Sequence, residues 1–464
     1  MSNQLKEKLG MFSAIMVVIS AMIGSGVFKK IADMSEQLNN GTLVLLAWTA
    51  AGAITLMGSV SNAEVAGLIA KPGGQYVYFR EMYGKLFAFL FGWASFTVIQ
   101  TGTAASVAYV FAESVNSLLP LPTLPDALSE KVLFSINDFH FQPFHNFGVK
   151  MLTCLLVIGI SIVNYLGIDY GERISNILGT TVVAGVLTII FIAYMNPSYT
   201  PVINAANIQH KAPGAAAFFT AMMAAFWAFE GWNNVGFLGG EIKNPKRNIP
   251  IALSVGTMIV LMLYLLTNSA FLRMGDVSFY VGLSNKDNAI AAVEGMNLVW
   301  GAGGMFISLL ILVSTFNSTN NSLMTAPRIY YTMANDGLFI KKASSVHHKY
   351  KTPHKAIIYQ MVWCIVLVIS GSFDMLTEML VFVAFIFYGC GAFGVIVLRK
   401  KMPDAPRPFK VPLYPVIPLL FTLFSVFLVY YTITSSTGNT LIGLILLASG
   451  LPFYFYYKKK GLLS

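Results

Sequence analysis

Charged side chains are scarce in this sequence, and their scarcity limits the class of protein. Only 11% of the 464 residues are Asp, Glu, Lys or Arg, whereas 56% are hydrophobic, and the mean hydropathy is +0.67. A soluble protein of this length carries more charge. Apolar runs recur along the whole chain, and about 20 such residues cross a bilayer as a helix. The sequence therefore predicts an all-α polytopic membrane protein with no sizeable soluble domain.

Cysteine is also scarce, and several chemical motifs are missing altogether. The three cysteines, Cys154, Cys364 and Cys390, lie in apolar stretches, which argues against a disulfide framework, and no metal-ligand spacing is present. The sequence also lacks a nucleophile–base arrangement and a phosphate-binding loop. We therefore expect no metal and no enzymatic activity. No small-residue cleavage site follows the first apolar run, so we interpret that run as a retained helix and not as a signal peptide.

The apolar runs are numerous enough for twelve membrane spans within one transmembrane domain, residues 1–464. The predicted spans are 11–36, 41–69, 83–117, 146–167, 174–195, 214–240, 250–273, 297–326, 355–372, 375–399, 413–433 and 438–457. They are called spans 1 to 12 below.

The net charge of +10 is distributed unevenly between alternate loops. One set of loops contains Lys6, Lys8, Lys71, Arg80, Lys85, Arg173, Lys243, Arg328, Lys341, Arg399, Lys400 and Lys460, among others. The opposite loops carry mainly Lys131, Lys211, Arg273 and Lys286. Because cytoplasmic loops are enriched in Lys and Arg, we expect both termini in the cytoplasm and the chain in a plasma (inner) membrane. The basic charge is thus assigned to topology beside membrane lipid, and not to nucleic acid.

A Gly-Ser-Gly triplet, Gly24-Ser25-Gly26, interrupts span 1 where a helix should continue. Each glycine weakens a helix by about 1 kcal/mol relative to alanine. In lipid, a weakened helix risks unpaired backbone N–H and C=O groups, which cost several kcal/mol each. Such a break persists where the freed groups line a cavity or bind a ligand, and broken helices mark the binding sites of many transporters. The alternative interpretation is close helix packing through small residues.

Span 6 contains a second anomaly, the segment FWAFEGWNN at residues 226–234. Burying its carboxylate, Glu230, costs about 2.5–3.5 kcal/mol, so such a group normally faces a cavity or a partner. Two interrupted spans in corresponding positions suggest an inverted repeat. We place the first repeat at residues 11–195 and the second at 214–399, with residues 413–457 outside both.

The two breaks suit a ligand that carries both charges. Helix N-termini are partly positive and helix C-termini partly negative. Free N–H groups at Ser25, Gly26 and Val27 can bind a carboxylate, and free carbonyls near Trp227, Ala228 and Phe229 can accept from an ammonium. A zwitterionic amino acid offers both groups. The predicted substrate-binding residues are Ile23, Gly24, Ser25, Gly26, Val27, Trp227, Ala228, Phe229, Glu230, Gly231, Asn317 and Tyr388.

Four stretches resemble one family of transporters. SAMIGSGVF at residues 20–28 resembles the first-helix motif of the amino acid–polyamine–organocation (APC) superfamily. WAFEGWN at 227–233 resembles the sixth helix of its L-type amino acid transporter branch, and GEIKNP at 240–245 and STFNS at 314–318 agree with the same pattern. The resemblance implies a five-plus-five inverted-repeat fold with two extra C-terminal helices, alternating access, and amino acid exchange or symport. It also implies that Trp227 is a gating aromatic.

One departure from the family pattern concerns coupling. Many family members carry a lysine in the middle of their fifth helix, but the corresponding window here, GTTVVAG at residues 179–185, has none. Two coupling candidates follow. Glu230 is one, since burial favours its protonated form. The other is a cation, such as Na+, bound between the span 1 break and Ser314 or Ser318. No cofactor beyond a coupling H+ or Na+ is expected.

The sequence allows more than one identity for the substrate and more than one role for several site residues. No second carboxylate lies at mid-depth near Glu230, which favours a neutral L-amino acid, whereas a cationic amino acid or polyamine would fit if Glu230 faced the substrate side chain. Glu230 could equally be a structural carboxylate, and Trp227 and Asn317 packing or interhelical hydrogen-bonding residues. A non-transporting membrane sensor or subunit on the same fold is the remaining hypothesis. No obligate protein partner is indicated.

Overall fold

Apolar helices of membrane-spanning length dominate the computed structural model, which describes residues 7–136, 139–196, 214–284, 290–370, 373–435 and 437–459. Within those ranges, nine helical stretches are long and apolar enough to cross a membrane. They are Met11–Leu38, Gly41–Leu68, Lys85–Leu118, Phe147–Leu166, Ile168–Met195, Pro245–Met274, Met379–Lys401, Val416–Thr434 and Thr440–Lys459. The all-α class expected from the sequence is confirmed.

The described residues of the N-terminal half form nine helices and one short hairpin. The helices are α1 (Met11–Met22), α2 (Gly26–Leu38), α3 (Gly41–Leu68), α4 (Gln75–Tyr83), α5 (Lys85–Ala94), α6 (Gln100–Leu118), α7 (Asp126–Ser129), α8 (Phe147–Leu166) and α9 (Ile168–Met195). A π-helical turn, Ser95–Ile99, joins α5 to α6. Strands β1 (Phe134–Ile136) and β2 (Phe139–Phe141) pair antiparallel, with Phe134 opposite Phe141.

The C-terminal half continues as helices with two short 3₁₀ turns, Asn234–Phe237 and Lys341–Ser344. The helices are α10 (Ala215–Ala228), α11 (Pro245–Met274), α12 (Val277–Ser284), α13 (Ala291–Asn297), α14 (Gly303–Thr325), α15 (Pro327–Asn335), α16 (His354–Ser370), α17 (Phe373–Lys401), α18 (Val416–Ser435), α19 (Thr437–Ala448) and α20 (Gly450–Lys459).

Each of the twelve predicted spans coincides with one of these helices or with two in succession. Spans 6, 8 and 9 are the ones missing from the nine long apolar stretches. Helix α10 has only 14 residues because span 6 breaks, and α16 has 17. Helix α14 has 23 residues but carries a run of buried Ser, Thr and Asn side chains. The two-repeat division and its boundaries stay a prediction.

Both expected breaks are present. Helix α1 ends at Met22 and α2 begins at Gly26, while α10 ends at Ala228 and the chain resumes only as a 3₁₀ turn. Helix α1 packs against α9, α11 and α14, and α10 packs against α2 and α3. The broken helices are thus enclosed by other helices, where protein groups can reach their freed backbone atoms.

Several of the basic segments meet at one end of the helix bundle. The amides of Lys8 and Leu9 donate to the carbonyl of Glu241, 2.8 and 2.9 Å away. The Glu241 carboxylate accepts two hydrogen bonds from Arg328, at 2.8 and 2.9 Å. Arg80 pairs with Asp336, which follows α15. We call this end the basic face. That it faces the cytoplasm stays a prediction, and Lys6, Lys211, Lys286 and Lys460 lie outside the described residues.

The Glu241–Arg328 pair is almost fully buried, with both side chains 1% exposed. We expect Arg328→Met to lower stability by about 3–5 kcal/mol, because it leaves the Glu241 charge buried without its partner. The measurement is the apparent melting temperature of the detergent-purified protein. Arg247→Met, at an exposed arginine of α11, is the matched control, and Glu241→Leu with Arg328→Met should recover part of the loss. Equal melting of Arg328→Met and Arg247→Met would contradict this expectation.

Candidate functional site

The two helix breaks lie against each other. A Cβ atom added at Gly26 would lie 2.5 Å from the Cβ atom of Ala228 and 3.1 Å from the ring of Trp227. Gly231 has φ +100, and its added Cβ would lie 3.0 Å from the carbonyl oxygen of Ala21. Only glycine accommodates both the contact at Gly26 and the left-handed backbone at Gly231. The glycines therefore allow the breaks to meet.

One tyrosine hydroxyl of α11 reaches both breaks. The Tyr264 hydroxyl lies 2.7 Å from the carbonyl oxygen of Met22 and 2.9 Å from that of Ala228. Its ring packs edge-on against Trp48 at 5.5 Å and tilted against Phe229 at 5.0 Å. Sequence analysis missed Tyr264, since a tyrosine in a long apolar helix carries no signal that distinguishes it from a packing residue.

The first amides after the span 1 break remain available. Among the described residues, no backbone carbonyl accepts a hydrogen bond from the amides of Ser25, Gly26 or Val27. The first turn of any helix leaves such donors unpaired. The Ser25 side chain is fully buried, and its hydroxyl also has no partner within the described chain. This cluster of N–H and O–H donors matches the predicted carboxylate-binding half of the site.

The carbonyls at the span 6 break differ from the expectation. The Trp227 carbonyl accepts from the amide of Glu230 at 3.2 Å, and the Ala228 carbonyl accepts from Tyr264. The prediction that both are free is therefore wrong, because the chain turns back on itself and α11 supplies a donor. For the carbonyl of Phe229, no donor is found among the described residues.

Glu230 and Tyr388 were predicted separately, and the structure brings them together. The Tyr388 hydroxyl donates to the Glu230 carboxylate at 2.5 Å. Both side chains are buried, with 8% and 3% exposed. Tyr388 lies on α17 and its ring also packs against Trp232, with centroids 5.2 Å apart. A carboxylate from one break is thus held by a helix from another part of the chain.

Three carboxylates are buried among the described residues, and two of them are paired with arginine. Glu64 accepts from Arg399 at 2.7 and 2.9 Å, and Glu241 accepts from Arg328. The third, Glu230, accepts instead from a neutral tyrosine. A buried carboxylate without an arginine or lysine is costly if charged. The arrangement favours a protonated Glu230 or a cationic group brought by a ligand.

Ser314 and Ser318 of α14 reach the span 1 break, as predicted. The Ser314 hydroxyl lies 2.7 Å from the Ile23 carbonyl oxygen and 3.1 Å from that of Gly24. The Ser318 hydroxyl donates to the carbonyl of Ala21 at 3.0 Å. Together with Tyr264, these hydroxyls supply hydrogen bonds to the carbonyls freed at the end of α1.

This geometry agrees with the comparison to known families. An amino acid permease family model matches residues 9–451. The chain belongs to this family. The resemblance to the APC superfamily and the polytopic all-α fold expected from it are therefore confirmed. The proteins of this family are permeases, so the chain is a membrane transport protein and not an enzyme.

Individual relatives of this permease cover almost its whole length. It is 28% identical to the serine/threonine exchanger SteT of Bacillus subtilis (strain 168), over 99% of this chain and 98% of the relative. It is 26% identical to the human cystine/glutamate transporter, over 98% and 86%. It is 27% identical to the human large neutral amino acids transporter small subunit 2, over 97% and 80%. These names share amino acid transport and differ in substrate.

Asn317 of this permease lies where α14 meets α9. Its side-chain amide donates to the Ser175 carbonyl at 3.4 Å, which fits the packing alternative. It also lies beside Ile19, Ser20, Ile23, Gly179 and Val182, around a gap too small to hold a water molecule. A Cβ at Gly179 would lie 2.3 Å from the Ser20 hydroxyl. Helix α9 therefore packs closely against α1 at position 179, where a larger side chain would displace the side chains of Ser20 and Met16.

Trp227 of this permease is the penultimate residue of α10 and is 8% exposed. The ammonium of Lys30 lies 5.9 Å from the centre of its ring. The neighbouring Lys29 pairs with Glu113 at 3.1 Å, which ties α2 to α6. The gating role of Trp227 stays a prediction, and the structure places Lys30 beside its ring.

Because the two breaks are in contact, we expect two glycines of the triplet to differ in how they tolerate substitution. Gly26→Ala should lower the apparent melting temperature, since its Cβ would overlap Ala228 and overpacking costs about 1–3 kcal/mol. Gly24→Ala is the matched control, because its Cβ would meet the Ser318 hydroxyl at an ordinary 3.8 Å. Equal melting temperatures for both alanine variants would contradict the close contact.

Proposed function

We propose that this permease is a secondary active transporter that moves a zwitterionic, neutral L-amino acid by alternating access. The observation that carries the proposal is the contact between the two breaks, with the unpaired amides of Ser25, Gly26 and Val27 on one side and Glu230 on the other. We further propose the plasma (inner) membrane as its location, with the basic face in the cytoplasm.

In this proposal, the substrate carboxylate binds the amides that begin α2. A helix N-terminus favours an anion through its unpaired N–H groups and its dipole. The substrate ammonium binds the Phe229 carbonyl and the Glu230 carboxylate. The amine half thus depends on Glu230 more than the sequence suggested, because the carbonyls of Trp227 and Ala228 already accept hydrogen bonds.

The ion pairs of the other buried carboxylates support a neutral substrate. Glu64 and Glu241 are occupied by arginines, so among the described residues Glu230 is the buried carboxylate best placed to bind one ammonium. A zwitterion needs one such group. The similarity to a serine/threonine exchanger over nearly the full length of both proteins agrees with a neutral substrate and with exchange.

A cationic amino acid or polyamine is the second candidate. The observation that favours it is the same Glu230, which would then bind the cationic side chain of the substrate instead of its α-amine. The proposals differ in which amino acids compete for transport. A non-transporting sensor on the same fold would show no uptake at all.

For coupling, we propose a proton carried by Glu230. Its buried carboxylate accepts from a neutral hydroxyl, so it can gain or lose a proton without breaking an ion pair. A Na+ ion near Ser314 and Ser318 is the alternative. That site is less favoured, because both hydroxyls already donate to the carbonyls that would bind the ion.

The transport proposal predicts that purified protein in liposomes takes up a radiolabelled neutral amino acid and exchanges it for the same amino acid preloaded inside. Serine, threonine, alanine and leucine are the first probes, and arginine and putrescine test the second candidate. Empty liposomes are the control. Uptake of arginine or putrescine alone would overturn the neutral substrate, and no uptake or counterflow of any standard amino acid would overturn transport.

The coupling proposal predicts that Glu230→Gln abolishes the pH dependence of uptake, because glutamine cannot titrate. Some exchange at a single pH should persist with weaker substrate binding, because the substrate ammonium loses its charged partner. Uptake is measured between pH 5.5 and 8. Glu36→Gln, at an exposed position of α2, is the matched control and should keep the wild-type profile. A wild-type profile in Glu230→Gln would exclude Glu230 as the proton carrier.

A further inference from the structure

A long apolar crevice lies on the outside of the helix bundle, between α17, α18 and the junction of α4 with α5. Its volume is about 400 Å³. The lining residues are Tyr83, Phe87, Phe385, Ile386, Gly389, Cys390, Phe393, Thr422, Ser425, Val426 and Val429. Phe393 and Val426 are 43% and 63% exposed, so the crevice opens to the surface that a bilayer would cover.

The polar groups in the crevice wall are already satisfied by the protein. The Tyr83 hydroxyl donates to the Cys390 carbonyl at 2.7 Å. The hydroxyls of Thr422 and Ser425 donate to the backbone of their own helix, at 2.7 and 2.8 Å. The crevice therefore offers an occupant hydrocarbon surface and little hydrogen bonding. An acyl chain fits this chemistry, and a polar metabolite does not.

The crevice runs along α17 from the basic face toward the middle of the helix. Phe393 lies eight residues before Lys401, which is about 12 Å along a helix, and Phe385 lies about 12 Å further. Lys401 ends α17 at the basic face. One end of the crevice is thus near the depth of lipid headgroups, and the other lies in the hydrocarbon core.

Two lysines, Lys401 and Lys85, lie close to the crevice residue Tyr83 at the basic face. The Lys401 ammonium donates to the carbonyls of Glu81 and Met82, at 3.4 and 2.9 Å, directly before the crevice residue Tyr83. Lys85 is exposed two residues beyond Tyr83. The nearby acidic side chain, Glu81, lies 3.7 Å from Arg80. The headgroup end of an apolar crevice is therefore positively charged.

We propose that this crevice binds an anionic phospholipid from the leaflet at the basic face. One acyl chain occupies the apolar crevice, and the phosphate of the headgroup lies between Lys85 and Lys401. Juxtamembrane lysines attract anionic lipid headgroups, and the apolar walls select a chain. In a zwitterionic lipid such as phosphatidylcholine, the cationic choline offsets the attraction of the phosphate to the lysines, and free fatty acids lack the phosphodiester.

The acyl chain of the bound lipid would contact a residue that also packs against the candidate substrate site. Phe385 lines the crevice, and its ring lies 5.0 Å from that of Phe226 on α10 and 5.8 Å from that of Tyr388. Tyr388 in turn donates to Glu230. The lipid would thus touch the packing layer behind the span 6 break without entering it.

The test is native mass spectrometry of the delipidated, detergent-purified protein, titrated with phosphatidylglycerol or phosphatidylcholine of the same acyl chains. We expect one phosphatidylglycerol to bind in preference. The double variant Lys85→Gln with Lys401→Gln should weaken its binding roughly thirtyfold, from two lysines near the headgroup. Lys341→Gln with Lys342→Gln, two exposed lysines elsewhere on the chain, is the matched control.

The position of the lipid acyl chain is tested by filling the crevice with a larger side chain. Val426→Trp should reduce phosphatidylglycerol binding, whereas Leu423→Trp should not, since Leu423 is 65% exposed on the same helix and lies outside the crevice lining. In the unaltered protein, bound phosphatidylglycerol should slow labelling of the crevice thiol Cys390 by N-ethylmaleimide relative to Cys154, which lies on α8. This readout needs no variant to fold.

Several results would overturn the proposal. Equal binding of the two lipids would exclude the charged headgroup site. Unchanged binding in Val426→Trp, or equal labelling of Cys390 with and without phosphatidylglycerol, would exclude the crevice as the chain site. Palmitate that binds and protects Cys390 as well as phosphatidylglycerol does would show a fatty acid site in place of a phospholipid site.

Discussion

Backbone hydrogen bonding in a lipid environment is the constraint on which the arrangement of this permease depends. Each helix break frees N–H and C=O groups that lipid cannot satisfy. The carbonyls freed at the end of α1 accept from Ser314 and Ser318, and the single hydroxyl proton of Tyr264 is shared between the carbonyls of Met22 and Ala228 at the ends of α1 and α10. Helices α11 and α14 are therefore required beside the breaks, which explains why the broken helices lie inside the bundle.

The freed carbonyls and the freed amides differ in how many of them have hydrogen-bond partners, and this difference determines which ligand groups the breaks can bind. Most of the freed carbonyls have protein donors, whereas the amides of Ser25, Gly26 and Val27 have no backbone acceptor among the described residues. The breaks thus present donors to an anionic group. On the opposite side, the Glu230–Tyr388 pair offers a carboxylate in apolar surroundings. An amino acid carries the two groups that complement this polarity.

Local patterns in the sequence predicted the spans and the breaks, because helix length, glycine and misplaced charge act over a few residues. Patterns of this kind could not predict contacts between distant positions. Tyr264 resembles any aromatic residue in an apolar helix, and Glu241 and Arg328 lie 87 residues apart in the sequence. The missing lysine at residues 179–185 was interpreted through coupling, and the structure adds only that Gly179 in this window closely approaches Ser20.

The sequence by itself determined that the chain crosses a membrane many times, that spans 1 and 6 break at glycines, and that Glu230 lies beside one break. Those properties follow from hydrophobicity and backbone freedom, which each segment carries alone. Only the tertiary structure decided which freed groups remain for a ligand. The carbonyl of Ala228 was expected to be free, and Tyr264 occupies it, because a hydrogen-bond donor can come from any helix that the fold brings alongside.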